Sequence, residues 1–291
     1  MPKNWFQLSE QGAGRRRLIL TKYIYEIFGE IPVRIIAFFV TTAVFLTAKE
    51  RRKASEKFFK ILNKKFVLFH SFIQFLNYGN ALVDKFISFI GRLDPKRFEL
   101  MGPDVYHGAF FITTHVGNVE ILRTLFQDEN LNHPKRVNVF LQSSACEKFN
   151  HFLNSLELKL DINAFPVEKV SAETSIMVAD RLKEGEIVFM AGDRVSSENT
   201  NKVYEAEFLN HKVEFPVGTL RFALMMKVPV YFIVCAKEGK KFKVYTEQFV
   251  SDKEKKNEVL RDLQNAYVKF LEKFTLKYPH QFYNFYDLFK D

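Results

Sequence analysis

The strongest limit on the fold is a change of rhythm near residue 105. Beyond it, short apolar runs rich in β-branched and aromatic residues alternate with helical stretches. The runs are 109–113 (AFFIT), Val137–Leu141 (VNVFL), 187–190 (IVFM) and 230–234 (VYFIV). Helical patterns near 119–128, 145–157 and 171–184 separate the first three. Strands joined through helices run parallel and need helices over the sheet to cover them. The expected fold class is α/β, with a mixed, largely parallel sheet flanked by helices. Two hairpins are expected in addition. Residues 203–209 and 212–215 flank Asn210-His211, and Glu238-Gly239-Lys240 turns between 230–235 and 242–245. A closing helix is predicted over 254–278.

The first third of the chain reads differently. Residues 14–90 are predicted to be helical throughout, with Phe66, Phe69, Ile73 and Leu76 on one face. Asp94-Pro95 breaks the pattern. Within this region, residues 31–48 (IPVRIIAFFVTTAVFLTA) form an apolar run close to the length of about 20 that crosses a bilayer. Arg34 near its start is expected to snorkel toward headgroups. Lys49, Arg51, Arg52 and Lys53 follow directly, as positive flanks do on the cytoplasmic side. Charge reinforces this reading. The chain carries +9, and residues 1–65 hold 14 basic against 5 acidic side chains, which accounts for all of it. A nucleic-acid enzyme would spread its basic residues over a binding face instead, so no nucleic-acid partner is expected. Segment 1–90 is therefore predicted to be a membrane-anchoring helical part, packed on a 91–291 α/β domain as one body. With 47% hydrophobic residues and 33 Phe, the chain is not a disordered one. Cys146 and Cys235 have no framework spacing and read as reduced packing residues. About thirty mixed residues precede the apolar run, so it does not read as a cleaved secretory signal.

The candidate chemistry lies after the first strand. The chain there reads His115-Val116-Gly117-Asn118-Val119-Glu120 and then turns helical. Groups beyond the carboxyl ends of strands line the ligand crevice of open α/β folds, and His115 is placed in that loop. Gly117 allows a sharp turn, and Asn118 is positioned to cap the following helix. Glu120, in the first helical turn, is expected to return toward His115 and orient it. An imidazole held by a carboxylate is a general base for a hydroxyl proton. No G-x-S-x-G serine motif accompanies it, so direct attack by a substrate hydroxyl fits better than an acyl-enzyme. The amides near Gly117 and Asn118 are candidate oxyanion donors. Asp193-Arg194 follows another buried strand, where Arg194 suits a phosphate or carboxylate. Seven His and two Cys show no metal-ligand spacing, so no metal site is expected.

With these pieces in order, the sequence resembles the lauroyl/myristoyl acyltransferases of lipid A biosynthesis, within the lysophospholipid acyltransferase superfamily. Trp5, Glu10 and Gly12 resemble that family's start. THVGNVE (114–120) resembles its H-x4-D/E block, and AGDRVS (191–196) its later Asp-Arg block. The stretch 208–230, with Phe-Pro-x-Gly and a proline-opened strand, and YPHQFYNFY (278–286) resemble its later and terminal parts. Val119 departs from the family, which commonly has Trp there.

The resemblance implies a glycerol-3-phosphate acyltransferase-like fold and an enzyme working at the cytoplasmic face of a bacterial inner membrane. It implies His115 as general base, Glu120 as its orienting acid, and Asp193 and Arg194 as substrate-positioning residues. The donor is then an acyl carrier protein or acyl-CoA, the acceptor a hydroxyl on a membrane lipid, and no cofactor is involved. Val119 points away from the lipid A precursor itself, toward relatives that act on aryl polyenes, amino-acid lipids or aminoacyl groups. A non-catalytic peripheral membrane protein is the alternative of another class, and His115 and Glu120 argue against it.

Overall fold

The computed structural model describes residues 15–103, 107–126, 136–143, 145–147, 150–151, 162–195 and 202–289. Trp5, Glu10, Gly12, Ser196 and much of the helix expected over 145–157 lie outside them. Four helices come first among the described residues: α1 (Arg15–Phe28), α2 (Glu30–Thr47), α3 (Lys49–Ile61) and α4 (Val67–Phe89). The helical region is thus interrupted, at Gly29 with φ +77°, at Ala48 and between residues 62 and 66.

The α/β part then follows. Its strands are β1 (Phe98–Leu100), β2 (Phe110–Gly117), β3 (Val137–Leu141), β4 (Ile162–Pro166) and β5 (Ile187–Ala191). After them come β6 (Val203–Phe208), β7 (His211–Pro216), β8 (Val230–Glu238) and β9 (Lys241–Gln248). Helices α5 (Arg123–Phe126), α6 (Ala172–Lys183), α7 (Gly218–Met226) and α8 (Lys256–Lys277) accompany them, and residues 143, 145–147 and 150–151 are also helical. Among the described residues, seven strands form one sheet in the order β1-β9-β8-β2-β5-β3-β4. Every pairing in it is parallel except the β8–β9 hairpin. The chain is therefore α/β, with a mostly parallel mixed sheet. β6 and β7 make the separate hairpin, turning at Leu209 and Asn210, both with positive φ.

Alternation across β2 divides the core. Phe110 and Ile112 point to one face with Phe232, Tyr267 and Phe270. Ala109 and Phe111 point to the other, with Phe86 and Ile87 of α4 and Val33 of α2. Residues of the first helices thus share a core with the sheet.

Helix α2 is not a buried core helix. Only Val33 and Phe45 are buried, while Ile31, Phe39 and Leu46 are each at least 63% exposed. It is long and apolar enough to anchor in a membrane. Its inner face lies against α4, running antiparallel to it. Arg34 meets Asp84 near the end of α4, and Phe45 meets Phe72 and Phe75 near its start. Arg34 therefore does not snorkel outward. Its guanidinium donates to Asp84 at 2.6 Å, Glu30 at 3.0 Å and Asn80 at 3.1 Å, because an ion pair with a buried carboxylate satisfies its charge.

Candidate functional site

β2 runs four residues past the expected strand end, so His115 and Gly117 lie on the strand rather than in the loop after it. The register against β8 shifts between Thr113 and Gly117, which marks a bulge that re-aims the intervening side chains. Gly117 has φ +74°, and a Cβ there would stand 2.1 Å from the Cys235 carbonyl oxygen of β8. Only glycine fits both the conformation and the contact.

β2 and β5 are parallel neighbours, with Thr113 opposite Ala191. Two residues further along the chain from each stand His115, still on β2, and Asp193, just past the end of β5. The Asp193 carboxylate takes two hydrogen bonds from His115, one from the backbone N–H and one from ring Nδ1, each 2.7 Å. The Asp193 side chain is fully buried. Burial pushes its carboxyl up, but the charge and hydrogen bonds of His115, and then Arg194, outweigh this and hold it below the usual carboxylate range. An ionised carboxylate only accepts, so Nδ1 carries the hydrogen. In the neutral ring the lone pair is then on Nε2, which has no hydrogen-bond partner among the described residues. That is the tautomer a general base needs.

Glu120 does not return to His115. It follows Asn118 in a 3-10 turn (Val119–Leu122) and pairs with Lys85 of α4. The expected His115–Glu120 contact is replaced by His115–Asp193. Strand pairing brings Asp193 to the imidazole from 78 residues away, while the 3-10 turn carries Glu120 against α4. In any chemistry that uses His115 as a base, Glu120→Gln should then change the initial rate by no more than about fivefold, since a half-exposed ion pair is worth about 0–1 kcal/mol. A loss above about tenfold in initial rate would return the orienting role to Glu120.

Three other expectations are corrected. Asn118 does not cap the turn with its side chain, which donates instead to the Ala81 carbonyl at 2.7 Å. Its backbone N–H is given to the Cys235 carbonyl at 2.7 Å, so it is not an oxyanion donor. Arg194 turns toward the C-terminal segment, with Nε on Asn284 Oδ1 at 2.9 Å and a terminal nitrogen on the Tyr283 carbonyl at 2.5 Å. These bonds occupy the fork that was expected to grip substrate.

That C-terminal segment is what sequence reasoning missed. Tyr283 N–H donates to the His115 carbonyl at 2.8 Å, Phe282 bridges Val116, and Tyr286 Oη–H donates to the Asp193 carbonyl at 3.3 Å. Gln281 clasps the backbone of Lys237 through its carbonyl and its amide. The aromatic, amide-rich ending YPHQFYNFY was the available signal. Both cysteines are free and buried.

Compared with known families and with curated proteins, the sequence matches no family model and no curated protein.

Proposed function

We propose that this chain is a membrane-associated O-acyltransferase with a glycerol-3-phosphate acyltransferase-like fold. In this reading it resembles the lauroyl/myristoyl acyltransferases of lipid A biosynthesis and works at the cytoplasmic face of a bacterial inner membrane. The observation that carries it is the His115–Asp193 pair at the carboxyl ends of two adjacent parallel strands, with Nε2 unengaged among the described residues.

The chemistry follows from that geometry. Asp193 holds the Nδ1 hydrogen, and Nε2 removes the proton of a lipid hydroxyl. The hydroxyl oxygen attacks the carbonyl carbon of an acyl thioester from acyl carrier protein or acyl-CoA. The C–S bond breaks as the ester forms, and Nε2–H returns its proton to the leaving thiolate. No covalent acyl-enzyme and no cofactor enter this sequence. The acceptor is a membrane lipid hydroxyl, with lipids other than the lipid A precursor favoured by Val119.

The packing of α2 supports a helix lying in the interface rather than crossing the bilayer. It is backed along its length by α4, which carries Gln74, Asn77, Asn80 and Asp84 and packs on the sheet. Its outward face offers eight large exposed apolar side chains from Ile31 to Leu46. Each fully transferred side chain of this kind contributes about 1.5–3 kcal/mol.

Purified protein in detergent, given a labelled acyl thioester and a bacterial membrane-lipid extract, should yield a labelled, alkali-labile lipid ester. Label retained on the protein with none in lipid would contradict direct transfer. No label in lipid from either donor would contradict acyl transfer itself.

A further inference from the structure

A second polar feature lies outside the histidine pair. A half-open cavity of about 360 Å³ lies between α2, α4, the β8–β9 turn and the C-terminal segment. Four cations line it (Arg34, Arg97, Lys237 and Lys240) against two carboxylates, Glu30 and Asp84. Asp84 is buried and shares its two oxygens, Oδ1 with Arg34 at 2.6 Å and Oδ2 with Lys237 at 2.7 Å. Glu30 and Asp84 thus balance Arg34 and Lys237, leaving two positive charges over. Burial, helped by the Arg34 and Arg97 guanidiniums, holds the Lys237 ammonium below its ordinary value in spite of Asp84. Among the described residues that line the cavity, cations therefore outnumber carboxylates by two.

The surplus belongs to Arg97 and Lys240. Arg97 places its guanidinium 4.8 Å over the Phe242 ring and donates from Nε to the Lys240 carbonyl at 2.8 Å. That orientation leaves its two terminal amino groups without an ion-pair partner among the described residues. The Lys240 ammonium on the exposed turn likewise has none there. Two unpaired cations beside a polar cavity match a dianion, and a guanidinium fork with an ammonium is a common way to hold phosphate oxygens.

Position selects the source. Glu30 and Arg34 occupy the first turn and a half of α2, whose outer face is the exposed apolar one. With α2 in the interface, the cavity lies where lipid headgroups lie. We propose that this cavity binds the phosphate monoester headgroup of a membrane lipid, gripped by Arg97 and Lys240 at the rim and by Lys237 and Arg34 deeper in. Asn118 and Tyr283 form part of the same wall. Asn118 follows His115 by three residues, and Tyr283 bonds the His115 carbonyl, so a bound headgroup rests against the segment that carries the histidine. The phosphate site stands whether or not His115 transfers acyl groups; its lipid source rests on the membrane reading of α2.

The test is partition of the full chain onto phosphatidylcholine vesicles that contain either phosphatidic acid or phosphatidylglycerol, matched for surface charge. The wild type should bind the phosphatidic acid vesicles about tenfold more tightly. Arg97→Ala with Lys240→Ala should reduce that preference to within about twofold while leaving partition onto phosphatidylcholine alone unchanged. Lys183→Ala with Lys212→Ala, remote from the cavity, should keep the preference. Equal binding to the two charged vesicles, or the same loss from the remote pair, would overturn the site. No partition onto any vesicle, together with glycerol phosphate binding that the rim variant abolishes, would overturn the lipid source and with it the membrane reading.

Discussion

His115→Asn should lower acyl transfer on the order of 10³–10⁴-fold while the protein stays folded. An asparagine amide at this position can still donate to Asp193, so the buried carboxylate keeps a partner for each oxygen. What disappears is the Nε2 lone pair, and with it the acceptor for the hydroxyl proton. His115→Ala should lose the same activity at a greater cost in stability, because Asp193 would then retain only the backbone N–H of residue 115. Initial rates with saturating thioester, together with thermal unfolding, separate the two effects. A folded His115→Asn protein with near-wild-type turnover would remove the histidine from the chemistry.

Asp193→Asn is the second large effect, and it acts through the histidine. The native carboxylate accepts from both the His115 backbone N–H and Nδ1–H. An amide offers only one acceptor and one donor group, so whichever way it turns, an N–H of His115 faces an NH₂. If the NH₂ faces the ring, the imidazole must move its hydrogen to Nε2 and ceases to be a base. The expected loss is about 10²–10⁴ in kcat with KM within a few-fold, and about 1–3 kcal/mol of stability for the unsatisfied donor.

The acid side of the stability profile gives an independent check. The folded-state pKa of Asp193 is depressed, so its contribution is fully present above the unfolded carboxyl value near 3.9 and is lost as pH falls through the lower folded value. Unfolding measured between pH 7 and the acid limit should show this extra acid sensitivity in wild type and not in Asp193→Asn. An unaltered kcat for the folded variant would leave Asp193 a purely structural partner.

How the sequence carried this arrangement differs from part to part. Strands β2, β5 and β8 are internal and buried on both faces, so each carries an unbroken apolar run and is legible alone, and β3 is legible with its run broken once, by Asn138. β4 (INAFP) is an edge strand, half-buried throughout and ended by Pro166, and it carries no such run. β1 has only three residues and owes its state to pairing with β9. Glu120 was the natural partner for His115 by proximity along the chain, but partners in a parallel sheet are set by which strands lie side by side. The order β8-β2-β5 is a long-range fact that composition does not contain. The two strand ends bearing His115 and Asp193 were both visible; their pairing was not. The clamp of residues 281–286 on both of them mixes backbone bonds from Phe282 and Tyr283 with the Tyr286 hydroxyl, so the aromatic, amide-rich ending signals that a clamp is there but not what it holds.

The most direct measurement is lipid mass spectrometry of cells that lack this protein, supplied with either the wild-type chain or His115→Asn. Cells with the wild-type chain should contain a lipid carrying one more acyl unit than the corresponding lipid of the deletion, and cells with His115→Asn at equal abundance should lack it. Identical lipid profiles from the two chains would contradict acyl transfer by the His115–Asp193 pair.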